Sequence, residues 1–456
     1  MIGETHDEKS LTEPALVGPS DELCAADAAV DATMSPQQVG GVCEACKRKK
    51  IPVVFVPGVM GSRLYFPGIQ QEWDPDSEWA MSHWLTKGTD TVRRELHCNS
   101  AAEVIRIEDG LSAEEIAHGY GEVVKSYYVN ILRVLQTRLF VAHVDVSVWA
   151  VGYDWRQSNS DSGRYLQRKV QEILAVEGAS QVILVTHSMG GIVARSAMAR
   201  GLRSSVLGVV HLFQPVDGAV AMYRRLFTGV TSEFDKGRMK KFKAWAFSII
   251  LGDSPEEYAA TCSGLPGPLQ LLPNNNYRAE DGGAWLLYEE NGKNVSWKGD
   301  VYDLYRGKTN PPALEPQGLK RVVANDLHFY TLLAKYFHVA LGRYKHPNTR
   351  SVHGTGENTD MATLFAPPKR PPPITLPVGS GDPFTGAHPV TVDAVWRFRG
   401  AKPQRRAHGD GTVPQTSANV LTPSEPVSNV EHADACNDAK VQQLTLNYIK
   451  IFLAFQ

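Results

Sequence analysis

With 456 residues, 43% of them hydrophobic and 21% charged, the chain has the composition of ordinary soluble globular proteins and can bury a large core. Its 47 basic and 49 acidic side chains leave a formal net charge of −2, so no global field draws nucleic acid or an anionic membrane, and any lipid contact has to be local. Six cysteines spread over this length exclude a disulfide scaffold and fit synthesis in a reducing compartment.

Residues 1–46 scatter acidic side chains among Gly, Pro, Ser and Ala without a period of 2 or 3.6, and read as a disordered or docking tail ahead of a folded domain over 47–456. The start lacks the basic end and continuous apolar stretch of a secretory signal. The longest apolar runs, around Ile51–Val56 and Ala244–Leu251, fall short of the roughly 20 residues that span a bilayer. Cys43 and Cys46 form one C-x-x-C without a second pair or a His couple at zinc spacing, so a plain loop pair outweighs a metal site, and no cofactor is expected. The run Lys47-Arg48-Lys49-Lys50 leads into Ile51 and reads as a solvated strand entrance rather than a nucleic-acid patch.

From Ile51 onward, short apolar runs alternate with amphipathic segments, which predicts an α/β protein with a mainly parallel sheet. Predicted strands are Pro52–Val56, His143–Ala150, Gln181–Thr186 and Val206–Leu212; predicted helices are Gly121–Leu139, Arg164–Val176 and Gly190–Arg200. Residues of about 222–345 break the alternation with Gly/Pro-rich loops and aromatics, and read as a cap or lid inserted over the sheet. Within them Lys240–Ile250 combines a basic start with bulky apolar groups, which suits either a lipid interface or a lid helix packed on the domain. Thr355–Pro389 is rich in Pro and Gly and reads as a long surface connection. Lys440–Phe455 has the spacing of a closing helix.

Chemistry concentrates around Val182–Gly191, where an apolar strand meets Thr186-His187-Ser188-Met189-Gly190-Gly191 and then a helix. A serine at such a strand-to-helix elbow projects its hydroxyl above the sheet, and Gly190 provides room where the backbone crowds. Thr186 stands where the G-x-S-x-G pattern has its first Gly. The competing reading is a phosphate-binding turn of a doubly wound protein. His187 adjoins Ser188, but adjacent side chains diverge, so the base is expected elsewhere. The α/β-hydrolase fold places acid and base later, in the order Ser, Asp or Glu, His. Asp410, in Gly409-Asp410-Gly411-Thr412 after the strand-like Val392–Phe398, is the expected acid, with Asp217 the competitor; it also suits a plain Asx-turn. His432, between Pro426–Val430 and the last helix, is the expected general base, whereas His408 precedes the acid and breaks the order. The oxyanion donors are expected to be the Met189 amide and, from the loop Val56-Pro57-Gly58-Val59-Met60-Gly61-Ser62, that of Val59.

Together Phe55–Leu64, Gly152-Tyr153-Asp154-Trp155-Arg156, Thr186–Gly191, Leu271-Leu272-Pro273-Asn274, the Asp410 turn and the His432 segment resemble the bacterial branch of the lecithin:cholesterol acyltransferase and GPI inositol-deacylase α/β-hydrolases, from Ile51 to the end. Thr before the His-Ser pair is common in that group. Asp154 and Arg156 read as a local ion pair at the sheet edge. Within the branch, His346-Pro347-Asn348-Thr349 and Val209–Pro215 are similar to lipase effectors of bacterial type VI secretion. That narrower resemblance implies synthesis in the bacterial cytoplasm without a signal peptide, loading onto a secretion spike through residues such as 1–46, phospholipid hydrolysis in a rival's periplasm, and a cognate immunity protein.

Three functions follow as expectations: a lipid esterase or phospholipase, an acyltransferase using the same residues with an alcohol in place of water, and a binding protein that kept the fold without the chemistry.

Overall fold

The computed structural model describes residues 48–230, 250–252, 254–279, 282–290, 293–296, 302, 321–366, 397–398 and 407–454. The tail 1–46, the stretch 240–249 and most of Thr355–Pro389 lie outside the described residues.

Six strands form one all-parallel sheet: β1 (Val53–Val56), β2 (Val148–Ala150), β3 (Val182–His187), β4 (Val206–Leu212), β5 (Thr349–Thr355) and β6 (Ser424–Ser428), in the spatial order β6-β5-β4-β3-β1-β2. Both faces are covered, as the near-continuous apolar strands require. Val53 and Phe55 of β1 join Ile183, Val185, Val210 and Leu212 on one face. Helices α1 (Lys125–Arg138) and α7 (Ala439–Leu453) cover it. Val54 and Val56 alternate to the other face with Leu184 and Val209, under α2 (Asn159–Glu177) and α3 (Met189–Ala199). Each such fully buried aliphatic contributes about 1.5–3 kcal/mol. This is the α/β-hydrolase fold.

Several boundaries move for identifiable reasons. The helix predicted from Gly121 begins at Lys125, because Tyr120–Glu122 form a 3₁₀ turn and Arg63 Nη1 donates to the carbonyls of Gly121 and Val123 at 3.2 and 2.7 Å. The helix predicted from Arg164 begins at Asn159, where the Ser158 side chain accepts from the Asp161 amide, and ends at Gly178 in the left-handed region. The strand predicted over His143–Ala150 divides: Val144–Asp145 pairs with Lys49–Lys50, and Val148–Ala150 enters the main sheet.

Of the strand predicted over Val392–Phe398, Arg397–Phe398 is described, pairing antiparallel with Thr363–Ala366 outside the main sheet. Asp410 instead follows Ala407–Gly409, which pairs antiparallel with Glu357–Thr359 just beyond β5. The start of the expected surface connection is therefore a hydrogen-bonded support for the acid-bearing turn.

Within 222–345, α4 (Val220–Thr228), α5 (Pro255–Cys262) and α6 (Arg321–Leu341) enclose a core of their own that includes Tyr223, Leu226, Tyr258, Leu272 and Leu327. Ser254 caps α5 with a reciprocal Ser254–Glu257 capping box and Pro255 at its first position. Cys98, Cys262 and Cys436 are buried free thiols. No described helix is long and apolar enough to cross a membrane.

Candidate active site

Strand β3 delivers Ser188 to the start of α3 with φ 52° and ψ −125°, a strained conformation for a residue with a side chain. Such strain costs about 1–3 kcal/mol and persists only where the surroundings enforce it. The Ser188 amide donates to the Leu212 carbonyl at 2.9 Å, anchoring the elbow to β4. A Cβ on Gly190 would stand 2.3 Å from the Pro57 carbonyl oxygen, so only glycine lets α3 pass the loop after β1. Thr186, in place of the pattern's first glycine, is fully buried and shares a 2.8 Å hydrogen bond with His211 Nδ1 on β4.

The Ser188 Oγ lies 2.8 Å from His432 Nε2, and His432 Nδ1 lies 2.7 Å from Asp410 Oδ2. His432 opens a 3₁₀ turn after β6, and its amide donates to the Asp410 carbonyl at 2.9 Å. Asp410 Oδ1 accepts from the amides of Thr412 and Val413 at 2.9 and 2.6 Å, leaving Oδ2 for the imidazole. A carboxylate can only accept, so Nδ1 carries the proton and the Nε2 lone pair faces the serine hydroxyl. Asp410 is buried, packed so closely on β5 that a Cβ on Gly354 would meet its Cβ at 2.5 Å.

The competing acid, Asp217, is turned elsewhere. It pairs with Arg343, accepts from Asn274 Nδ2 at 3.2 Å, and has no described contact with His432. His408 is paired through its backbone with Asn358. Arg156 is fully buried, donates Nε and Nη2 to both Asp154 oxygens at 2.9 and 2.7 Å, and reaches the carbonyls of His97 and Ser100. That pair fastens the chain after β2 and has no hydrogen bond to Ser188, His432 or Asp410.

On the loop after β1, Met60 has φ 58°. Among the described residues, the amides of Val59 and Met189 donate to no protein acceptor. A cavity of about 290 Å³ opens over Ser188 and His432, walled by Val59, Tyr127, Met222, Tyr258, Leu265 and Leu271. It is a mainly apolar pocket with a polar floor, the usual form of a small-molecule site.

A family model described as lecithin:cholesterol acyltransferase matches residues 84–361, more than half of the chain. The chain belongs to the lecithin:cholesterol acyltransferase family. The match includes the Ser188 elbow and stops before Asp410 and His432, whose placement rests on the geometry above. A crystal structure of a Tle4–Tli4 complex is similar, with a TM-score of 0.66 at 21% identity over 88% of this chain and 98% of that one. Phospholipase PlaB from Legionella pneumophila (14% identity, 48% of this chain and 32% of that one, TM-score 0.20) and the propeptide form of lipase BlEst2 from Bacillus licheniformis (18%, 48% and 32%, 0.21) match too loosely to carry an argument. Among curated proteins, none matches the chain in sequence. By family and fold, this is a lipid-acting α/β-hydrolase.

Sequence reasoning does not mark Tyr128, and it weighs His187 only as a base and sets it aside. Tyr128 of α1 and His187 of β3 both line the pocket and share a hydrogen bond of 3.2 Å. An amphipathic helix presents Tyr128 as one more core aromatic, and no local motif marks it.

Burial pushes the imidazoles of His187 and His211 down to about 3 and that of His338 to about 4. Their folded pKa values lie below the unfolded value of about 6.5, so the unfolded chain binds more protons between these limits. Stability from the three neutral rings is complete above about pH 6.5 and is lost as pH falls toward the folded values. Thermal unfolding followed from about pH 7 to about pH 4 is expected to shift steadily to lower temperature, with a shallower fall in a His338→Gln variant. A parallel fall in the two proteins would contradict this.

Proposed function

We propose that the chain is a serine ester hydrolase that cleaves acyl esters of lipids, phospholipids foremost, through an acyl-enzyme on Ser188. The observation that carries this is the continuous Ser188–His432–Asp410 hydrogen-bonded array at the floor of an apolar pocket. In this reading Ser188 Oγ attacks the ester carbonyl as its proton passes to His432 Nε2. The amides of Val59 and Met189 receive the resulting oxyanion. The intermediate collapses, the ester C–O bond breaks, and His432 returns the proton to the departing alcohol. Water, deprotonated by the same Nε2, then attacks the acyl-enzyme and releases the fatty acid and Ser188.

Contact with a lipid surface is supported by α6, whose outward side carries Val322, Phe329, Leu333, Tyr336 and Val339, all exposed. An apolar stripe of this kind, on a helix that shares a core with the pocket-lining Met222 and Tyr258, suits a lipid interface better than water. Lys240–Ile250, whose sequence suits either a lipid interface or a packed lid helix, lies almost wholly outside the described residues.

Phosphatidylethanolamine/phosphatidylglycerol vesicles, offered with and without a short-chain alcohol, test the reaction. Free fatty acid and lysophospholipid are the expected products, absent with Ser188→Ala. Predominant transfer to the alcohol would make the protein an acyltransferase, and no release from lipid would remove the lipid substrate.

An antibacterial role is the finer reading. It is supported by the resemblance of His346–Thr349 and Val209–Pro215 to type VI lipase effectors, and by the similar fold of Tle4, a protein solved with Tli4 bound. On this reading the chain is made in the cytoplasm, delivered by a secretion spike to a target periplasm, and neutralised at home by an immunity protein. Expression directed to the periplasm of a susceptible bacterium should arrest growth while cytoplasmic expression does not; equal effects in both compartments, or toxicity retained by Ser188→Ala, would contradict it.

A further inference from the structure

The residue beside the nucleophile connects two loops that the reaction needs in register. His187 is buried, with Nε2 3.1 Å from the His432 carbonyl oxygen and Nδ1 3.2 Å from the Tyr128 hydroxyl. The Tyr128 hydroxyl in turn accepts from the Gly58 amide at 3.1 Å. A carbonyl only accepts, so Nε2 of His187 carries the proton and Nδ1 offers a lone pair, which the tyrosine O–H fills. The tyrosine oxygen is then free to accept from Gly58. Every donor in the chain from Gly58 through Tyr128 and His187 to His432 has one acceptor, with a single consistent direction.

The packing enforces the same connection. A Cβ on Gly58 would stand 3.0 Å from Ser188 Cβ and 3.1 Å from His187 Nδ1. A Cβ on Gly61 would stand 2.6 Å from the Tyr128 hydroxyl. Both glycines of the loop after β1 are therefore needed for that loop to close on the tyrosine–histidine pair. With the Gly58 amide committed to Tyr128, the next amide, that of Val59, has no protein acceptor among the described residues.

We infer that Tyr128 and His187 are positioning residues for ester cleavage, forming a neutral relay that locks the oxyanion loop at Gly58–Val59 to the base-bearing loop at His432. Neither exchanges a proton with substrate. The pair sets the distance between the group that stabilises the oxyanion and the group that moves the proton. This inference rests on the serine-hydrolase reading above.

Tyr128→Phe keeps the ring and removes both hydrogen bonds, and His187→Gln keeps an N–H able to reach the His432 carbonyl while losing the acceptor for Tyr128. In the full-length protein, p-nitrophenyl butyrate gives kcat and KM, a trifluoromethyl ketone reports affinity for an oxyanion-forming adduct, and decanoate reports affinity for the acyl product. Tyr128→Phe is expected to lower kcat on the order of 10–100-fold with KM within about twofold, and to weaken the trifluoromethyl ketone in parallel while decanoate binding holds. His187→Gln should lose less kcat than His187→Leu; this comparison carries the test if Tyr128→Phe does not fold. Unchanged kcat and ketone affinity in Tyr128→Phe, equal losses in the two His187 variants, or a fall in decanoate binding matching the fall in kcat would each overturn the relay. A wild-type protein that neither hydrolyses the ester nor binds the ketone overturns the hydrolase reading, and the relay with it.

Discussion

Replacing Ser188 by Ala is expected to lower ester hydrolysis on the order of 10⁴-fold or more, because the group that forms the covalent bond is gone and an oxyanion pocket acting on water alone recovers little. The fold should survive. The substitution removes one hydrogen bond, to His432 Nε2, and leaves a β-carbon in place at the same strained φ of 52°. One such bond is worth about 1 kcal/mol net. Ser188→Gly gives a sharper contrast, since glycine adopts that backbone conformation without steric cost. It should be equally inactive yet more stable than Ser188→Ala by about 1–3 kcal/mol, read as a higher unfolding midpoint. An inactive pair with identical stability would mean that the elbow stores no strain.

Asp410→Asn should cost on the order of 10³–10⁴-fold in kcat with little change in fold. The Oδ1 position accepts from the amides of Thr412 and Val413, so the asparagine oxygen belongs there and its NH₂ faces His432 Nδ1. A donor at that place makes Nδ1 the acceptor and moves the ring proton to Nε2, against the serine hydroxyl. Ser188 then has no lone pair to receive its proton. Asp217→Asn, by contrast, removes the partner of Arg343 and acts on stability rather than on proton transfer. A loss below tenfold in Asp410→Asn, or a larger one in Asp217→Asn, would reassign the acid.

The central strands and the elbow were legible because their causes are local. Val182–Leu184, Val206–Leu212 and the small residues after Ser188 declare a buried strand, a second buried strand and a crowded turn within a few positions of one another. Asp410 was legible as a residue and not as a place: its Gly-flanked turn is local, whereas its support comes from Glu357–Thr359, an antiparallel pairing that no periodicity near Asp410 encodes. Thr186 stands in place of the serine motif's first glycine, and its hydroxyl meets His211 across the strand pair, a contact that the motif does not encode. Tyr128 left no trace, since its partners Gly58 and His187 lie 70 and 59 positions away and its ring alone satisfies the helix pattern. Hydrophobic order is written in neighbours; the polar contacts that set a site are written in topology.

The account stands on Ser188 being a nucleophile activated by His432 and Asp410. Intact-mass and peptide analysis after exposure of the folded protein to a fluorophosphonate tests this most directly. The expected result is a single adduct on Ser188, absent from Ser188→Ala and formed far more slowly by His432→Ala. No adduct on the folded wild type, or one on another residue, would contradict it.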